Sequence, residues 1–144
     1  MTQTKVETIT DAEWEIMRVV WAKKETTSTE IIDILDSKMA WKPSTVKTLL
    51  SRLVTKNYLQ TRKEGKQFVY QASVIEENAV KEARNELLDK ICSKKIGGMV
   101  IGIVKEKELS VTDIEILEKL LAEKKKTAPS EVACNCIPGQ CQCK

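Results

Sequence analysis

Residues 43–55 admit one secondary structure in one orientation, and they constrain everything around them. Val46, Leu49, Leu50, Leu53 and Val54 recur at i, i+3, i+4, i+7 and i+8, the spacing of one apolar stripe on an α-helix. Pro43 suits the first turn of that helix, where its missing N–H costs nothing. The opposite side carries Ser44, Thr48, Ser51, Arg52 and Thr55, with Thr45 and Lys47 at the flanks, and no acidic residue. A helix that merely faces solvent usually mixes Glu with Lys. A helix laid against phosphates and base edges excludes carboxylates, whose charge would repel the ligand. The stripe demands a core on one side, and the outer face suits a polyanion on the other.

The neighbouring segments supply that core. Thr10-Asp11-Ala12-Glu13 is a capping box, and it opens a first helix running to about Ala22. Trp14, Ile16, Met17, Val19, Val20 and Trp21 give this helix a broad apolar side. A second start follows at Thr27-Ser28-Thr29-Glu30, and Ile31, Ile32, Ile34 and Leu35 carry that helix to about Met39. After the third helix, Tyr58–Arg62 and Gln67–Gln71 read as two strands around the turn Lys63-Glu64-Gly65-Lys66. The hairpin's tip carries Arg62, Lys63 and Lys66. Three helices and a basic hairpin, in that order, predict a winged helix-turn-helix. In that design the third helix enters the major groove and the wing touches the flanking backbone. Trp14, Trp21 and Trp41 are read as packing residues.

Charge is distributed in keeping with this. Residues 1–40 carry five Lys/Arg against eight Asp/Glu, residues 41–72 carry seven against one, and residues 73–144 carry twelve against twelve. The overall net charge of +3 therefore conceals a segment of +6. Concentrated positive charge is the footprint of a nucleic-acid surface; a solvated basic face is the plainer alternative.

The expected fold class is mainly α, in four parts: a winged-helix domain over 1–72, a helical dimerisation region over 73–126, a linker over 127–133 and a Cys-rich metal-binding tail over 134–144. A long helical pattern spans about Val74 to Lys95, with Val80, Leu87, Leu88 and Ile91 as its apolar positions, and Gly97-Gly98 is expected to break it. Met99–Val104 could be a helix turn or a buried segment. Ser110 is read as an N-cap, and Ile114, Leu117, Leu120 and Leu121 follow at helical spacing. This region is too small to bury its own apolar faces. Pairing with a second copy would cover them, and a two-fold dimer matches a palindromic site.

The chain contains no histidine, which removes Ser-His, Cys-His and His-metal catalysis. It has no phosphate-binding Gly-rich loop, and its carboxylates fall on charged helical surfaces. An enzyme is not expected. No signal-peptide run opens the chain, and no stretch of about 18 apolar residues occurs, so the expected location is the cytoplasm, with no membrane partner. In that reducing compartment clustered cysteines are more often metal ligands than disulfides. Cys134, Cys136, Cys141 and Cys143 stand as C-x-C-x4-C-x-C, two pairs facing each other across Pro138-Gly139. Thiolates are soft ligands. Four of them suit tetrahedral Zn(II), and C-x-C pairs suit Cu(I), which takes two or three thiolates and tolerates bridging sulfur. An exchangeable site, an inert zinc knot and a disulfide pair are the alternatives. Cys92, beside Ile91 in the long helical stretch, is read as a buried core residue rather than a ligand.

The segment Trp41-Lys42-Pro43-Ser44-Thr45-Val46-Lys47-Thr48-Leu49-Leu50-Ser51-Arg52-Leu53-Val54 resembles the recognition segment of the penicillinase-repressor family of winged-helix proteins. Glu13-Trp14-Glu15-Ile16-Met17 is similar too. The cysteine signature resembles that of the family's copper branch, the CopY-type repressors. The resemblance implies a homodimer that binds a palindromic operator of copper-homeostasis genes in its Zn(II) form. It releases that operator when Cu(I) displaces zinc, with a copper chaperone as an expected Cu(I) donor. It makes Cys134, Cys136, Cys141 and Cys143 the ligands. Ser44, Thr45, Lys47, Thr48, Ser51 and Arg52 become the groove-facing set, and Arg62, Lys63 and Lys66 the wing contacts. The β-lactam branch is instead inactivated by cleavage at an Asn-Phe bond. No Asn-Phe dipeptide occurs here, the single phenylalanine, Phe68, following Gln67. Two rival functions remain: a copper-buffering or chaperone protein, and a DNA-binding repressor whose zinc tail is purely structural.

Overall fold

A computed structural model describes residues 8–142. The elements run α1 (Asp11–Lys23), β1 (Glu25–Thr27), α2 (Ser28–Met39), α3 (Pro43–Thr55), β2 (Leu59–Glu64), β3 (Gln67–Ala72), α4 (Glu76–Leu88), a 3-10 turn (Ser93–Lys95), α5 (Ile96–Glu106) and α6 (Val111–Lys125). The chain divides into two compact units, Met1–Arg84 and Asn85–Lys144. The boundary lies inside α4, beyond the expected division at 72/73, because α4 contributes Ala79 to the core of the first unit.

In that unit the caps do what their chemistry requires. The Thr10 hydroxyl accepts from the Glu13 backbone N–H at 3.2 Å and the Glu13 carboxylate accepts from the Thr10 N–H at 3.1 Å, a complete capping box. Thr27 caps α2 by accepting from the Glu30 N–H at 3.2 Å. Pro43 opens α3. Val46, Leu49, Leu50 and Leu53 are buried and meet Ile16, Met17 and Val20 of α1 and Ile31 and Leu35 of α2 in one core; Val54 is partly buried against it. Trp14 and Trp21 stack edge to face at 5.5 Å, and the Trp21 indole N–H donates to the Val74 carbonyl at 2.8 Å. Trp41 also packs against the core, as expected.

β2 and β3 form the hairpin, with Glu64 opposite Gln67 and Gly65 at φ +59° in the two-residue loop between them. A positive φ there favours glycine, which has no Cβ to clash. The sheet has a third strand that the pattern did not reveal. β1 pairs antiparallel with β3, giving the order β1-β3-β2. Three helices and a wing rooted in a small sheet make this unit a winged helix-turn-helix.

The second unit departs from expectation at its start. The helix does not run to Lys95: α4 ends at Leu88, and Cys92 lies in the connector that follows. Gly97-Gly98 does not break a helix but sits in the first turn of α5, so Met99–Val104 is helical. Glycine costs about 1 kcal/mol per residue in a helix interior, and its effect is smallest at an end where the N–H groups have no ladder partner in any case. α6 starts on a Ser110–Asp113 capping box. Among the described residues, no helix is long and apolar enough to cross a membrane.

Candidate nucleic-acid interface and metal centre

The first unit exposes the residues that the sequence assigns to DNA contact on α3. The stripe that buries Leu49, Leu50 and Leu53 leaves Ser44, Thr45, Lys47, Thr48, Ser51 and Arg52 exposed together on α3. Thr48 is not wholly uncommitted, since its hydroxyl donates to the Ser44 carbonyl at 3.0 Å. α3 is anchored at its C-terminal end. Lys56, the C-cap residue, reaches the buried Glu13 carboxylate at 2.9 Å and the Thr8 carbonyl at 3.3 Å. Burial pushes the Glu13 carboxyl up. The Lys56 ammonium and the Thr10 hydrogen bonds outweigh it and hold the carboxyl below its ordinary range.

On the wing, Lys63 and Lys66 are exposed at the tip. Arg62 has protein partners. Its guanidinium forks onto Glu25 with two bonds of 3.0 Å and reaches Glu64 at 3.3 Å. The hydrogen bonds from Arg62 lower the Glu25 carboxyl and raise the guanidinium further. These groups are exposed, so the fork serves more to set geometry than to stabilise.

In the second unit, the sulfurs of Cys92, Cys134, Cys136 and Cys141 all lie within 4.8 Å of one another. Cys92 donates to Cys134 at 3.7 Å, and Cys134 and Cys141 are 3.3 Å apart. A tetrahedral Zn(II) with bonds of about 2.3 Å needs sulfurs about 3.8 Å apart. The Cys92–Cys134 separation matches that figure, the Cys134–Cys141 separation is shorter than it, and the all-sulfur donor set fits either soft ion. The Cys136 backbone N–H, 3.3 Å from Cys134 Sγ, is the main cause holding the Cys134 thiol below its usual range. The Cys136 thiol is pushed up, first by its hydrogen bond with Cys141 and then by that with Cys92. Of the four tail cysteines, three are brought together. Cys143 lies outside the described residues.

Cys92 is buried, as expected of it, but among tail sulfurs rather than in an apolar core. Its position is set by its neighbour. The Ser93 N–H donates to Asn135 Oδ1 at 2.9 Å and the Ser93 hydroxyl donates to the Ala133 carbonyl. No spacing rule links residue 92 to residues 134–141. The one sequence signal available was a fifth cysteine in a chain with a four-thiolate motif.

The model of the penicillinase repressor family matches residues 9–123, stopping short of the cysteine tail. An uncharacterised 16.5 kDa protein in the ptsI 3′ region of Latilactobacillus sakei is 44% identical over 135 residues, 94% of this chain and 92% of that protein. The methicillin resistance regulatory protein MecI of Staphylococcus aureus is 32% identical over 117 residues, 81% of this chain and 94% of MecI. The penicillinase repressor of Bacillus licheniformis is 31% identical over 121 residues, 84% of this chain and 94% of the repressor.

Proposed function

The chain belongs to the penicillinase repressor family, and on that premise we propose that it is a metal-responsive transcriptional repressor. As a homodimer it holds a palindromic operator of copper-homeostasis genes in its Zn(II) form, and it lets go when its tail cysteines exchange zinc for Cu(I). The α3 face of Ser44, Thr45, Lys47, Thr48, Ser51 and Arg52 reads the groove. Lys63 and Lys66 touch the flanking phosphates, and Arg62 joins them if it leaves its carboxylates. The tail offers four thiolates, Cys134, Cys136, Cys141 and Cys143, from which each metal draws its ligands. A bound ion supplies a cross-link among thiolates, whose number and geometry differ between the two metals.

The observation that carries this reading is the convergence of three tail sulfurs from beyond the end of the family match on Cys92, in a chain with no histidine to serve another metal chemistry. Dimerisation is favoured by the apolar side chains that α5 and α6 leave exposed, among them Ile101, Ile103, Ile116, Leu120 and Leu121. For a tenfold loss of operator affinity, the Cu(I) form must favour the DNA-free state by about 1.4 kcal/mol more than the Zn(II) form does.

The test uses a duplex selected from random-sequence DNA by the zinc-loaded protein. Titration with Cu(I) should release it. The variant with Cys134, Cys136, Cys141 and Cys143 all changed to Ser should not respond. An operator that stays bound while zinc is displaced would leave a purely structural zinc tail. Metal uptake with no operator binding under any loading would leave a buffering protein.

A further inference from the structure

We infer that Cys92 is a zinc ligand, so that loading the site ties the tail to the connector between α4 and α5. This rests on the metal-responsive reading and places one of the four zinc ligands outside the tail. Three observations carry it. The Cys92 sulfur stands 3.7 Å from Cys134, within the sulfur-to-sulfur separation of about 3.8 Å that a tetrahedral zinc site requires. The tail is held against the connector by bonds that involve no sulfur, from the Ser93 N–H to Asn135 and from the Ser93 hydroxyl to Ala133. These bonds flank Cys92 and Cys134 and bring them into register, so the donor set is assembled by the fold. Lastly, two lysines, Lys90 and Lys95, against one acidic residue, Asp89, line the cleft with Cys92 and Cys136. Four thiolates around one divalent ion leave a net charge of −2, and neighbouring ammonium groups offset it.

The consequence is a division of labour among five cysteines. With Cys92 as a ligand, Cys92, Cys134, Cys136 and Cys141 complete a tetrahedral zinc site, which needs no fifth thiolate. A tail built only from its own C-x-C pairs could bind metal without touching the rest of the chain. A tail anchored through Cys92 makes the metal a cross-link between the C-terminus and the turn on which α5 begins.

The experiment loads the full-length protein with Co(II), a zinc surrogate. Its visible bands report tetrahedral geometry, and its sulfur-to-cobalt charge transfer scales with the number of thiolates. Cys143→Ser should keep the full four-thiolate spectrum, whereas the double variant Cys92→Ser/Cys143→Ser should fall to a three-thiolate intensity. In parallel, Zn(II) should slow amide exchange at residues 92–95 in the wild type and in Cys143→Ser, but not in Cys92→Ser. The inference is overturned if Cys143→Ser already falls to three thiolates and zinc leaves exchange at 92–95 unchanged. That outcome would leave the metal-responsive reading intact. A wild-type chain with no thiolate–cobalt spectrum at all would sink both. Cys143→Ser lies in the tail, and the exchange measurement is also made on the wild type. The test therefore does not depend on the folding of Cys92→Ser.

Discussion

The pair formed by Glu13 and Lys56 should govern the stability of the DNA-reading unit and the posture of α3. Glu13 is fully buried, while the Lys56 side chain keeps 20% of its exposure. Glu13→Gln preserves volume, and glutamine can still close a capping box. It removes the charge from a hydrogen bond of 2.9 Å, which should cost about 1.5–3 kcal/mol. Lys56→Met leaves the carboxylate buried without its cation. The cost of breaking a buried pair this way is about 3–5 kcal/mol, and partial exposure of the lysine places it near the lower end. The double variant should cost less than the sum of the two, because no buried charge is stranded.

Acid provides the sign. The folded Glu13 carboxyl sits below its ordinary value of 4.5. Its contribution is therefore full above that value and is lost as pH falls through the folded value. The stability gap between wild type and Glu13→Gln should be widest near neutrality and close below about pH 4.5. Urea unfolding followed by circular dichroism, at neutral pH and at successively lower pH, measures it. The reasoning fails if Lys56→Met is no more damaging than Glu13→Gln, or if the gap does not narrow in acid.

Four further outcomes are expected. Arg52→Ala should weaken binding to the selected operator by about 1–3 kcal/mol if the guanidinium reads a base edge; a gel shift at fixed salt decides. Changing Lys63 and Lys66 together to Ala should weaken binding to all duplexes alike and flatten the slope of log K against log salt by about 2. Leu53→Ala, at a core position with no exposure, should cost the first unit about 2–5 kcal/mol in a denaturant titration. Leu120→Lys, at a side chain 59% exposed in the single chain, should shift sedimentation equilibrium from dimer to monomer without loss of helix signal.

The first unit was legible because its signals are local. Thr10 with Glu13, Thr27 with Glu30, Pro43 and Gly65 each mark a boundary by a mechanism that acts within four residues. The stripe from Val46 to Val54 then orients the helix that matters. β1 was not legible, since a strand of three residues shows no period, and its existence depends on β3 more than 40 residues away in sequence. The end of α4 and the start of α5 were misplaced because two glycines read as a breaker; where a helix begins, they are tolerated. At the cysteine cluster the tail's spacing was visible, and three of its four cysteines meet. The approach of Cys92 was not, because it is set by Ser93 meeting Ala133 and Asn135, contacts that only the folded chain creates.

Thr27 serves two elements at once. Its backbone pairs opposite Val69 in the sheet that roots the wing, and its hydroxyl caps α2. A single residue thus solders the hairpin to the scaffold that supports α3. On the proposed reading, α3 and the wing meet DNA as one preassembled stamp rather than as parts that must find each other on contact. Association of each half with its site should then demand little reordering of this unit, and the spacing of the two stamps should be decided by the joint between protomers.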